Sequence, residues 1–250
     1  MRNRPGLLFA VLSTLTACLA VDSHAGGMNL TWGSGCWADN PQTVQTFACD
    51  ANPNTFTMTA SFMPSQDLPQ FTSFFAQVDL QSDSPSLPDW WQLCDQGGCR
   101  SGALSGSADF NVAPGGCVYE WPGSTPYVSM SWRTSQWCSG GAAPAPPANR
   151  AQWLGDFGSG GGGTLHQGTE YYAFRLTIDA RKTTGSNVCG GCLVPATLVL
   201  NKISLFGEIT DQLTTPLANS CLRWQAASTT PCSATPVRNT TWGAIKSFYR

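Results

Sequence analysis

Tyr171-Tyr172-Ala173-Phe174-Arg175-Leu176-Thr177-Ile178-Asp179 alternates apolar and polar positions from Phe174 onward. Successive side chains of an extended chain point to opposite faces. The spacing therefore predicts a strand with Tyr172, Phe174, Leu176 and Ile178 buried and Arg175, Thr177 and Asp179 wet. The same period of two runs through residues 55–62, where Phe56, Met58, Ala60 and Phe62 alternate with threonine and serine, and through 74–81, where Phe74, Ala76, Val78 and Leu80 point inward. It returns at Ala108/Phe110/Val112 and at Val128/Met130/Trp132. Residues 197–209, β-branched and apolar, read as a long central strand, and 28–32 and 221–225 as shorter ones. No long helical segment is found. Short strands separated by Gly, Pro, Ser and Asn turns predict an all-β chain, a β-sandwich of jelly-roll-like kind, with residues 26–250 as a single domain. The Ala/Pro-rich stretch 140–148 and the glycine run 158–163 read as surface loops, and 150–157 as a short segment laid over the sandwich.

Residues 1–25 read as a signal peptide. Arg2 and Arg4 precede an apolar run, and Ser23-His24-Ala25 places small residues for cleavage before Gly26. Leu15-Thr16-Ala17-Cys18 offers the alternative of a lipobox, which would make Cys18 a lipidated, outer-membrane-anchored terminus. Leu19-Ala20-Val21 continues the apolar run, which favours release after Ala25. Both readings predict a secreted or cell-surface protein with no transmembrane helix in the mature chain. Only 11% of the residues are charged, the formal net charge is −2, and no basic cluster occurs, so nucleic acid and anionic lipid are excluded as electrostatic partners.

Eleven cysteines include Cys18 and ten others: Cys36, Cys49, Cys94, Cys99, Cys117, Cys138, Cys189, Cys192, Cys221 and Cys232. An even set in an exported chain reads as a disulfide framework. Proximity suggests Cys36–Cys49, Cys189–Cys192 and Cys221–Cys232. The remaining four pair either as Cys94–Cys99 with Cys117–Cys138, or as Cys99–Cys117 with Cys94–Cys138, the second being favoured. Cys189-Gly190-Gly191-Cys192 is followed by Leu193-Val194-Pro195 and a β-rich run. No helix N-terminus is therefore at hand to activate a redox thiol, and a structural bridge is the simpler reading.

Catalytic signals are sparse. His24 lies in the leader, which leaves His166 as the single histidine of the mature chain, and no Gly-x-Ser-x-Gly elbow occurs. A glycosidase needs two carboxyl groups, and Glu170, at the mouth of the best strand, is the leading candidate acid. Asp79, Asp83 and Asp89 suggest a Ca²⁺ site without matching an EF-hand loop, and read equally well as turn formers. No other cofactor or metal is indicated. Ten tryptophans supply the other handle, because flat indole faces stack on sugar rings. Trp90, Trp91, Trp132 and Trp137 are the candidate ligand-binding residues, for extracellular polysaccharide or cell-envelope components. Adjacent Trp90 and Trp91 cannot both point inward from a strand, which leaves one exposed or buried under a loop.

The tail Thr240-Thr241-Trp242-Gly243-Ala244-Ile245-Lys246-Ser247-Phe248-Tyr249-Arg250, together with Phe47-Ala48-Cys49-Asp50, Leu87-Pro88-Asp89-Trp90-Trp91 and Cys189-Gly190-Gly191-Cys192, resembles a group of uncharacterised secreted bacterial proteins. The resemblance implies an exported, disulfide-containing chain and brings no activity with it. Residues and resemblance together point to a binding or structural module, with an extracellular glycosidase-like hydrolase as the alternative.

Overall fold

The computed structural model describes residues 27–38, 40–95, 97–108, 117–119, 127–135, 145–158, 162–214 and 219–232. The expected leader, the tail 240–250, Phe110, Val112, Trp137 and Cys138 lie outside the described residues. Among the described residues eleven strands form two sheets: β1 (Gly27–Trp32), β2 (Val44–Gln45), β3 (Thr55–Met63), β4 (Ser73–Ser82), β5 (Leu104–Ser107), β6 (Tyr127–Thr134), β7 (Arg150–Gly158), β8 (Tyr171–Asp179), β9 (Ala196–Phe206), β10 (Thr210–Thr214) and β11 (Cys221–Trp224). One sheet has the order β1-β3-β8-β5. The other runs β2-β11-β9-β4-β7-β6, with β10 sharing the β11 side of β9. No helix among the described residues is long and apolar enough to cross a membrane.

Aromatic side chains join the inner faces of the two sheets. Phe62 of β3 meets Phe74 of β4 at 6.1 Å, Phe174 of β8 meets Trp153 and Phe157 of β7 at 4.6 and 5.6 Å, and Phe56 meets Trp224 at 4.9 Å. Three antiparallel pairs nest along the chain, β4 with β9, β5 with β8 and β6 with β7. A long hairpin rolled over on itself produces this nesting, which is the jelly-roll-like wrap the strand spacing predicts.

Three strand readings need correction. Residues 150–157 are not laid over the sandwich: β7 is an interior strand, paired on one side with β4 and on the other with β6. Ala151, Trp153 and Phe157 point inward, but Gly155 takes the intervening inward position and Leu154 faces out, which hides the alternation. Glycine is required there, because a Cβ would stand 2.4 Å from the Trp153 ring and 2.7 Å from that of Phe157. Second, the opening stretch changes phase at its start. Ala60 pairs with Phe174 but Ser61 with Tyr172, so Ala173 is an extra residue, a bulge. Tyr171, opposite Phe62 and stacked on it at 5.9 Å, takes the inward place, and Tyr172 shares the outer face with Ser61. The predicted strand 197–209 also divides, turning at residues 207–209 into the hairpin partner β10.

The bridges depart from the proximity rule. Cys36 pairs with Cys117, Cys49 with Cys192, Cys99 with Cys189, and Cys221 with Cys232 as expected. Cys94 is also disulfide-bonded, and its expected partner Cys138 lies outside the described residues. Cys36–Cys49, Cys189–Cys192, Cys94–Cys99, Cys117–Cys138 and Cys99–Cys117 are therefore not formed. The two cysteines of the Cys-Gly-Gly-Cys run serve different partners. Gly191, at φ 104° and packed where a Cβ would stand 2.3 Å from Pro88, turns the chain between them.

Candidate functional site

At the edge strand of one sheet, β1, and the edge strand of the other, β2, the backbone is bridged, the Trp32 N–H donating to the Gln42 carbonyl at 2.8 Å. The chain joins these edges through residues 33–43 and then returns to β3. Between them lies a cleft of about 430 Å³, lined by Trp32, Gly33, Ser34, Gln42, Gln45, Phe47, Thr55, Phe56 and Thr57. That volume falls within the range of about 300–1,000 Å³ common for small-molecule sites. Its floor is aromatic: Phe47 lies 4.9 Å from Trp32 and 4.6 Å from Phe56, and is the least buried of the three. Its rim carries amides and hydroxyls from Gln42, Gln45, Ser34, Thr55 and Thr57. Among the described residues no carboxylate or cationic side chain lines it.

Both walls are fastened. On the β1 side, Glu170 gathers the loop: its carboxylate accepts hydrogen bonds from Asn29 Nδ2 (3.1 Å), the Ser61 hydroxyl, and the backbone N–H groups of Trp37 (3.2 Å) and Ala38 (3.3 Å). The adjacent Cys36–Cys117 bridge closes the same corner. On the β2 side, Val44 and Gln45 pair in parallel with Arg223 and Trp224, the Arg223 N–H donates to the Thr43 carbonyl, and Cys49–Cys192 ends the segment. The Trp32 indole N–H donates to the Arg223 carbonyl at 3.1 Å and ties floor to wall.

The residues singled out from sequence lie elsewhere. Trp90 and Trp91 occupy a 3₁₀ turn, Asp89–Trp91, rather than a strand, so both turn inward and both are fully buried. Trp90 packs at 4.7 Å from Trp224 and Trp91 at 5.2 Å, leaving neither ring face to solvent. Trp132 is 9% exposed and donates its indole N–H to the Trp91 carbonyl. Trp137 lies outside the described residues. Glu170 is engaged as a loop fastener, away from the cleft lining. Asp79, Asp83 and Asp89 do not converge. Asp79 accepts from Gln77, Gln152 and Asn201 on the outer face of the larger sheet, whereas Asp83 holds residues 228–230. Among the described residues no group of three His, Cys, Asp or Glu side chains is placed to hold a metal ion. The cleft residues themselves were missed because Gln42, Gln45 and Phe47 lie in a stretch without strand periodicity. Phe47, flanked by threonine and alanine, was the available signal.

A polar knot stands behind Trp90. Arg100 is fully buried with its guanidinium 3.7 Å over the Trp90 ring, and it donates to the backbone carbonyls of Trp90 (2.8 Å), Arg181 (3.0 Å) and Asp179. Burial pushes this guanidinium down to about 9, with Asp179 opposing and Arg181 adding to the depression, so it remains charged at neutral pH. Two carboxylates move the other way. Burial disfavours the charge of Asp83, yet hydrogen bonds from Thr230, Thr229 and Ser228 prevail and hold it below the usual range. Asp179 is likewise lowered against burial by its hydrogen bonds and ion pair with Arg181. A depressed folded-state carboxylate stabilises above its unfolded pKa and loses that contribution as pH falls through the folded value. Thermal stability is therefore expected to drop on acidification below about pH 4. Asp83→Asn should shrink that drop in melting curves recorded from neutral to acid pH, and an unchanged acid limb would refute the assignment.

No family model matches the chain, and no curated protein matches it. Among solved structures, the chain is similar to one described as "Putative membrane anchored protein" from Corynebacterium diphtheriae, at 7% identity and a TM-score of 0.28. The alignment covers 83% of this chain but 37% of that one, so this chain spans little more than a third of its length. A likeness at that score carries no argument about function.

Proposed function

We propose that this protein is an exported, disulfide-stapled β-sandwich module that binds a neutral glycan of the extracellular matrix or cell envelope in the cleft between β1 and β2. One observation carries the reading: an aromatic floor under a rim of amides and hydroxyls, with no charged side chain among the described lining residues. Apolar sugar faces rest on aromatic rings, their hydroxyls exchange hydrogen bonds with Gln, Ser and Thr, and an uncharged rim offers nothing to a uronate or sulfate. Glycoside hydrolysis draws on two carboxyl groups, and none is among the described lining residues, which supports binding over turnover. The disulfides support an oxidising compartment, and the resemblance to secreted bacterial proteins agrees with export.

The test is a panel of neutral, uronic and sulfated glycans on the oxidised protein. Binding confined to neutral members is expected, weakened at least about tenfold by Phe47→Ala or by Gln42→Ala with Gln45→Ala. Preference for the charged members, or binding that survives all three substitutions, would remove the cleft from consideration.

A further inference from the structure

Strand β11 pairs with β2 as far as Trp224, and at Gln225 the backbone leaves the ladder. Its φ is 57°, in the left-handed region that favours glycine, and the residue is only 5% exposed. A buried non-glycine residue in that region costs free energy, and it persists where its surroundings over-determine it. Its side chain shows what does so. The Phe47 N–H donates to Gln225 Oε1 at 3.2 Å, and Gln225 Nε2 donates to the Phe47 carbonyl at 3.1 Å. The same nitrogen reaches the Cys192 carbonyl at 3.2 Å and Cys49 Sγ at 3.5 Å. A primary amide thus stands where the next peptide group of β11 would stand, and it grips both polar groups of one residue. That residue is the least buried ring of the cleft floor. Phe47 lies 4.3 Å from Trp224, against the end of the same strand.

We infer that Gln225 is the positioning residue of the cleft: its side-chain amide completes the β2–β11 ladder and so sets where Phe47 presents its ring. This rests on the cleft being the ligand site, as proposed above. Gln225 itself is absent from the lining, so its effect on a ligand passes through Phe47. The groups its side chain touches are carbonyls, an N–H and a disulfide sulfur, none of which titrates, and no pH dependence arises from them in the native protein.

The experiment compares the native protein with Gln225→Leu and Gln225→Glu by two readouts. Amide hydrogen exchange at Phe47 reports the grip directly. Calorimetric titration with laminarihexaose, cellohexaose and mannohexaose reports the seat. Gln225→Leu is expected to accelerate Phe47 exchange and to weaken binding of whichever hexaose the native protein takes, each at least about tenfold, with near-UV circular dichroism showing the sandwich intact. Gln225→Glu supplies the rescue. As a neutral acid the introduced carboxyl can donate to the Phe47 carbonyl and accept from its N–H, and as a carboxylate it faces two carbonyl oxygens. Burial and those oxygens raise its pKa above the ordinary value of about 4.3, so binding and protection should return toward about pH 4.5 and be lost near neutrality. The native protein should show no such swing. Retained Phe47 protection, or native affinity in both variants, overturns the inference. If the native protein takes none of the three hexaoses, that counts against the glycan reading, and exchange at Phe47 still decides for or against the grip. If Gln225→Leu fails to fold, the acid-restored behaviour of Gln225→Glu decides, and its absence overturns the inference.

Discussion

Replacing Arg100 with leucine is expected to destabilise the protein by about 3–5 kcal/mol, among the largest effects of any single substitution here. The guanidinium is wholly enclosed, and no carboxylate bonds to it directly. Its charge is solvated by three backbone carbonyls and the face of Trp90. Burial makes that arrangement costly, as the depressed ionisation of the guanidinium shows. Removing the side chain is costlier still, because the Trp90 carbonyl is then buried without a donor and the part-buried carbonyls of Asp179 and Arg181 lose theirs. The loss should extend beyond Arg100, since the neighbouring Cys99–Cys189 bridge and the Trp90–Trp224 contact share its scaffold. Arg100→Lys keeps the charge but replaces a planar fork with one compact ammonium, so it should recover only a minor part. Urea unfolding, read as a shift in midpoint at constant slope, measures both. A loss under about 1 kcal/mol for the leucine variant would show that the carbonyls find other donors.

The second large effect is covalent. Removing Cys49–Cys192 by a double alanine substitution is expected to cost about 2–5 kcal/mol, because the bridge joins positions 143 residues apart and a long closed loop restricts the unfolded chain most. Thiol reduction breaks every bridge, and at about 2–4 kcal/mol each their sum is comparable with the whole 5–15 kcal/mol that stabilises an ordinary domain. The reduced protein is therefore expected to lose its near-UV circular dichroism at ambient temperature. The double variant should stay folded but bind glycan poorly, since the bridge ends the segment carrying Gln45 and Phe47. A reduced protein that keeps its native spectrum would show that the aromatic core suffices without sulfur.

Much of this architecture was legible from local chemistry. Strands β3, β4 and β8 announce themselves because each has one face in the core, so alternation survives in the sequence. Legibility failed where three-dimensional packing overrode the pattern. Gly155 empties an inward position to admit two neighbouring rings, and an extra residue at Ala173 exchanges the faces of Tyr171 and Tyr172. Sulfur pairing was the least readable feature. Cys36 lies 13 positions from Cys49 in sequence, but the chain passes from one sheet edge to the other between them, and each finds a partner from a distant segment. The site was hidden for a related reason. Two adjacent tryptophans draw attention, yet a 3₁₀ turn buries both, whereas the cleft assembles from β1, β2, β3 and the loop residue Phe47, which the Gln225 side-chain amide grips.

The connectivity of the bridges also constrains how the molecule is made. Cys36–Cys117 interleaves with both Cys49–Cys192 and Cys99–Cys189, so none of the three joins cysteines that are neighbours in the sequence. A chain threaded amino end first into an oxidising space offers Cys36 the thiol of Cys49 long before Cys117 arrives. Pairing in order of emergence would therefore begin with a wrong partner, and the native set would require reshuffling after the carboxyl-terminal half has been delivered.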